Sequence, residues 1–151
     1  MTAFDTPHSP AWEPLVEAAW AARAQAHAPY SQFRVGAALA FGEGAIVGGC
    51  NVENAAYPLC TCAERVAMCT AVAQGHSAPQ ALVVVTEAER LTPPCGACRQ
   101  VLIEFTDRLP ILLTNGRQRA LHHLEDLLPE AFTPRDLGIS IPVQSKAPSV
   151  D

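Results

Sequence analysis

Three thiols and one carboxylate fall where a catalytic metal would need them. Cys62 is followed two residues later by Glu64, and Cys95 and Cys98 form a Cys-x-x-Cys pair directly after Pro94. Cysteines three apart at the opening of a helix point to one side. The free N–H groups and positive dipole end found there favour the thiolate form. Three thiolates can hold a zinc ion and leave the fourth position for water, as catalytic zinc sites do. Glu64 is too close to Cys62 to be a comfortable co-ligand, yet it is within reach of such a water, whose proton it could accept and return. Zinc with three thiolates carries one net negative charge, which weakens the metal as a Lewis acid. Arg65, in the same first turn, is expected to draw charge off the sulfurs by hydrogen bonding to them.

Other uses of the cysteines stay open at this level. Cys60 is a rival ligand, because Cys60-Thr61-Cys62 offers two thiols; a closed site with Cys60 as fourth ligand would be structural zinc. Cys62 is preferred because it alone has Ala-Glu after it. Six cysteines could also make three disulfides. The opening MTAFDTPHSP has neither a basic start nor an apolar run, however, so a reducing, cytoplasmic compartment is expected. Cys50, Cys60 and Cys69 then read as small core or near-site residues, and the five scattered histidines as surface or cap residues.

At 151 residues the chain has the size of one ordinary domain. With 49% hydrophobic and 17% charged residues it can bury a real core. The net charge of −5 and the absence of a basic stripe argue against a nucleic-acid polymer as partner and for a small neutral substrate. No apolar stretch approaches the length of about 20 residues that a membrane span needs.

The elements that must position the thiols can be read in order. Residues 1–10 look like a loose lead-in. An Ala-rich amphipathic helix is predicted over 11–28, entered near Pro14 and stopped by Pro29. Strands are predicted at 33–41 and 45–53, joined as a hairpin by Gly42-Glu43-Gly44. Gly36, Gly48 and Gly49 would allow close backbone approach. A buried helix over 62–75 follows, then an apolar central strand at 81–87, a short helix at 96–105 and a strand at 111–114. A short strand at 117–121, a helical turn or two within 124–132 and a frayed tail at 143–151 complete the pattern. This order argues for a layered α/β domain with a mixed sheet, spanning 1–151 without a second domain.

With these residues placed, the chain resembles cytidine deaminases of the small homotetrameric type. The likeness runs through FRVGAAL (33–39), NVENAAYPL (51–59), CAER (62–65), PCGACRQVLIEF (94–105) and LLPEAFTPRDL (127–137). It implies an α/β/α sandwich, three-layered, around a five-stranded mixed sheet. It also implies zinc-dependent hydrolytic deamination of cytidine and 2′-deoxycytidine to uridine and 2′-deoxyuridine, with release of ammonia, in pyrimidine salvage. By the resemblance, Cys62, Cys95 and Cys98 bind one zinc per chain and Glu64 shuttles protons. Asn51 and Glu53 would hold the ribose hydroxyls, which suits two residues on one side of a strand. Phe33 would stack on or against the pyrimidine. From the residues themselves, backbone N–H groups near Ala63 and Cys95–Gly96 could steady the pyrimidine carbonyl or the zinc oxygen. Phe132 would reach the base pocket of a neighbouring subunit in a homotetramer, with Tyr57 in a contact segment. Where the family commonly carries Gly, this chain has Cys60.

Overall fold

A computed structural model describes residues 3–140. Among them, five strands form one mixed sheet in the order β2-β1-β3-β4-β5, with β1 at Gly36–Ala40, β2 at Ile46–Cys50, β3 at Ala81–Val85, β4 at Pro110–Thr114 and β5 at Arg119–His123. Only β3 and β4 run parallel, and the chain between them contains α3, Gly96–Ile103; the other neighbours are antiparallel. The strands alternate their side chains between two cores. Ala38, Ala40, Val83 and Leu112 face α1, Glu13–Ala24, which covers them with Leu15 and Ala19. Ala37, Leu39, Leu82, Val84, Ile111 and Leu113 pack on the other side against α2, Ala63–Ala73, and α3, with Leu124 of the single turn α4, Leu124–Leu127. Helices on both faces make the expected three-layer α/β/α sandwich.

Close approach of the first layer depends on Gly36. A Cβ there would lie 2.0 Å from the Ala19 carbonyl oxygen, so α1 rests directly on the strand backbone. A bidentate ion pair from Arg119 to Glu13, at 2.8 and 3.1 Å, ties β5 to the start of the same helix.

Several expected elements are shorter or differently bounded. The first strand begins at Gly36 rather than residue 33, because Phe33 and Val35 turn their backbone groups to Asn51: the Val35 N–H donates to Asn51 Oδ1 and Asn51 Nδ2 donates to the Phe33 carbonyl, both at 2.8 Å, while the Val35 carbonyl accepts from the Asn51 backbone N–H at 3.2 Å. The lead-in is anchored from residue 3 onward: the Ser9 hydroxyl donates to the Ala3 carbonyl, and Phe4 packs tilted, 4.7 Å between ring centres, against buried Trp12, whose Nε1 donates to the Thr6 carbonyl. The last strand lies at 119–123 instead of 117–121, since the Arg117 and Gln118 N–H groups donate to the Asn115 carboxamide oxygen and the Gly116 N–H to the Thr114 hydroxyl, closing a turn. A 3-10 turn at Pro134–Leu137, capped by Thr133 and Asp136, was not anticipated, although Thr-x-x-Asp is a capping-box spacing. The expected frayed tail at 143–151 lies outside the described residues.

Candidate metal centre and active site

Cys62 and Cys95 are the N-cap residues of α2 and α3, each in extended conformation, and Cys98 stands in the first turn of α3. Two helices packed on one face of the sheet thus bring their N-terminal ends together. What lets α2 sit there is Gly49 of β2. A Cβ at that position would be 2.4 Å from the Ala67 nitrogen and 2.5 Å from the Ala63 carbonyl oxygen. Only hydrogen fits between the strand and the first turns of the helix.

The three thiols converge. Cys62 Sγ lies 3.8 Å from Cys95 Sγ, and Cys95 Sγ lies 3.5 Å from Cys98 Sγ. All three sulfurs fall within 4.8 Å of one another. Tetrahedral zinc with Zn–S bonds of about 2.3 Å sets sulfurs roughly 3.8 Å apart, so the donor set fits that ion. Disulfides would need sulfurs about 2.05 Å apart, and all six cysteines are free, which removes the disulfide reading. Cys98 is buried, Cys62 is half-buried and Cys95 is exposed, so the cluster opens to solvent on one side. Cys60 takes no part in it. Its sulfur is bonded to the backbone of Asn54, at 3.2 Å to the nitrogen and 3.6 Å to the oxygen, which leaves the closed four-sulfur site unformed.

Charge is distributed unevenly over the cluster. Hydrogen bonding from Cys98, followed by the Arg65 guanidinium, brings the Cys62 thiol down to about 5 against the opposing effect of burial. Cys98 is raised in turn by its bond to Cys62, by burial and by the nearby Glu64 carboxylate. Arg65 reaches Cys62 Sγ at 3.8 Å and the Cys60 carbonyl at 3.3 Å. The Glu64 side chain is inside the protein, at 4% exposure, and its pKa is raised chiefly by that burial, with the Cys62 charge adding to it. A buried acid poised to hold a proton therefore stands beside three convergent sulfurs.

Asn51 and Glu53 flank Val52, which pairs in both directions with Thr61, next to Cys62; the two N–H···O bonds are 2.9 Å. This carries them to the entrance of α2. Both are already engaged. The Asn51 carboxamide holds residues 33–35 as described above. The Glu53 carboxylate accepts from the Tyr30 and Ser31 N–H groups, at 2.9 and 3.2 Å, and from the Ser31 hydroxyl. Ser31 was not singled out from the sequence, since the partner that reveals it lies 22 residues away. Phe33 is exposed on the segment so held, while Ala63 is fully buried at the start of α2. Tyr57 is 69% exposed and meets Tyr30 edge-on at 5.8 Å. Phe132 is 60% exposed, and its carbonyl accepts from Gln100 Nε2. A groove of about 780 Å³ at the opposite end of α3, lined by Ile103, Phe105, Pro134 and Ile139 among others, contains none of the three thiols, Glu64, Phe33, Asn51, Glu53 or Phe132.

A family model described as the cytidine and deoxycytidylate deaminase zinc-binding region matches residues 11–113. The chain belongs to this family. Its cofactor is therefore zinc, and Cys62, Cys95 and Cys98 are positioned to bind it. A cytidine deaminase of Sporosarcina psychrophila is 46% identical over 128 residues, 83% of this chain and 94% of that one. Among solved structures, the cytidine deaminase of Burkholderia pseudomallei is 50% identical with a TM-score of 0.76, covering 79% of this chain and 97% of that one. The Mycobacterium tuberculosis enzyme is 41% identical with a TM-score of 0.70, covering 80% and 96%. No helix among the described residues is long and apolar enough to cross a membrane.

Proposed function

We propose that the chain hydrolyses cytidine and 2′-deoxycytidine to uridine and 2′-deoxyuridine, releasing ammonia. The observation that carries this reading is Glu64, buried at 4% exposure against three convergent thiols at two helix entrances. Zinc held by Cys62, Cys95 and Cys98 supplies a Lewis acid that makes water a nucleophile near neutral pH. Glu64 takes the proton that the attacking water loses as its oxygen bonds to C4, and gives it to ring N3. It then moves the remaining hydroxyl proton to the amino group. The C4–N bond breaks, ammonia leaves and the C4 carbonyl of uridine forms. A carboxylate whose pKa is raised by burial suits both the taking and the giving.

Substrate binding falls to residues around the entrance. Phe33 offers a ring face to the pyrimidine, and the N–H groups near Ala63 and Cys95–Gly96 can donate to its carbonyl. Glu53 has three donors on a carboxylate with about four acceptor positions, so one remains for a sugar hydroxyl. Asn51 likewise keeps one acceptor and one donor position beyond those used on residues 33–35. The whole chain serves as one catalytic domain, and it works as a homotetramer in which Phe132 enters a neighbour's base pocket and Tyr57 lies at a subunit contact. Exposed Tyr30, Tyr57, Leu59, Phe132 and Leu137 supply apolar surface for such contacts. Free thiols throughout suit a cytoplasmic role in pyrimidine salvage.

The test follows the ultraviolet spectrum of cytidine with zinc-replete protein. Conversion to the uridine spectrum is expected, with loss of turnover and retention of one zinc per chain in Glu64→Ala. Unchanged turnover in that variant overturns the proton-shuttle assignment.

A further inference from the structure

Arg99, directly after Cys98, makes contacts in two places that the chemistry above does not use. Its Nε donates to the Pro94 carbonyl at 2.8 Å, and its backbone N–H donates to the Cys95 carbonyl at 3.0 Å. The carbonyls immediately before and at Cys95 thus both close onto Arg99. Pro93 and Pro94 have no N–H groups of their own, so this loop cannot be held by backbone donation at those positions. The second arm of the guanidinium, NH1, donates at 2.7 Å to the Leu127 carbonyl, at the end of α4. Carbonyls at a helix end lack partners within the helix, and a cation suits that end. The next residue, Gln100, holds the Phe132 carbonyl at 2.8 Å. Consecutive residues of α3 therefore grip both ends of the turn 127–132, in which Glu130 takes a left-handed φ of 52°.

We propose that Arg99 is a positioning residue that ties the loop bearing Cys95 to the segment bearing Phe132, fixing the metal ligand and that aromatic in one register. The inference rests on the proposed roles of Cys95 and Phe132. Gln100 has only the second of these connections, so the two residues separate the effects. A lysine could not replace Arg99, because a single ammonium is a point donor while the guanidinium spans both carbonyls with a rigid fork.

The experiment loads wild type and variants with zinc and follows metal loss to a chelating indicator dye, well below the unfolding temperature. KM for cytidine is measured in parallel. Arg99→Ala and Arg99→Lys should lose zinc about ten- to a hundredfold faster than wild type, the range for groups that orient metal ligands, and should raise KM. Gln100→Ala should raise KM while losing zinc at the wild-type rate. Arg119→Ala, which breaks the clamp to Glu13 of α1, the helix on the other face of the sheet from α2 and α3, should lower thermal stability and leave zinc loss unchanged. Wild-type zinc loss in both Arg99 variants, or equally fast loss in Arg119→Ala, overturns the positioning role and leaves the metal assignment standing. A wild-type protein that retains no zinc overturns the metal assignment itself, and the proposal with it.

Discussion

Two charged side chains around the entrance to α2, Arg65 and Glu53, can each be tested alone. Arg65 is the cation directed at Cys62 Sγ. Its removal would leave the three sulfurs with less relief of negative charge, so zinc held by them would polarise water less. Arg65→Ala is expected to lower kcat by about ten- to a hundredfold, the range for groups that tune metal ligands; kcat and zinc content by atomic absorption check it, and full activity would sink the assignment. Glu53 responds to pH. Its pKa is lowered from the ordinary 4.5, first by the Ser31 hydroxyl and then by the Tyr30 and Ser31 N–H groups. A carboxylate with a depressed folded-state value keeps its contribution above the ordinary value and loses it as pH falls through the lowered one. Anchoring of residues 30–31, and sugar binding if Glu53 provides it, should therefore persist down to below 4.5. Ser31→Ala removes the largest lowering influence, so the acid-side rise of KM for cytidine should move to higher pH. A pH profile of KM that is identical in Ser31→Ala and wild type would refute this.

At the scale of elements, the decisive joint is α2 on β2. Gly49→Ala puts a methyl group against the Ala63 and Ala67 backbone, where no flexible side chain can give way. Overpacking of this kind costs about 1–3 kcal/mol, occasionally more, and here the displaced element carries Cys62 and Glu64. The variant should show a lower denaturation midpoint together with weaker zinc retention. Gly42→Ala, with nothing within 4 Å of the added Cβ, should change neither. The helix entrances at Cys62 and Cys95 were legible in the sequence, because Pro94, the Cys spacing and the apolar runs are all local signals. The glycines were legible as places of close approach but not as to what approaches, since that depends on elements distant in sequence. For the same reason the expected first strand starts three residues too early: Phe33 to Val35 have strand character, and only the folded chain brings Asn51 across to bond to the backbone of Phe33 and Val35. Arg99 carries no local signal of its contact, because the Leu127 carbonyl it holds is 28 residues away.

On the scale of the whole molecule, one experiment assigns the site that Phe132 serves. In its own chain this ring is 60% exposed, and Gln100 holds its backbone rather than its side chain. An aromatic left in water on an anchored segment suits a partner subunit better than its own core. Complementation between two defective chains decides between the two arrangements. Phe132→Ala keeps Glu64 but lacks the ring; Glu64→Ala keeps the ring but cannot move protons. Each alone should be nearly inactive on cytidine. Co-expressed in equal amounts, they form mixed oligomers in which some sites combine an intact Glu64 with a ring from the neighbouring chain. With random assembly and one donated ring per site, about a quarter of the wild-type activity should return. If Phe132 instead served its own chain, no site in the mixture would hold both groups, and activity would stay at the level of the parents. Zinc content per chain and oligomer mass by light scattering, measured on the same mixture, ensure that a lack of recovery reflects the origin of the ring and not failed assembly.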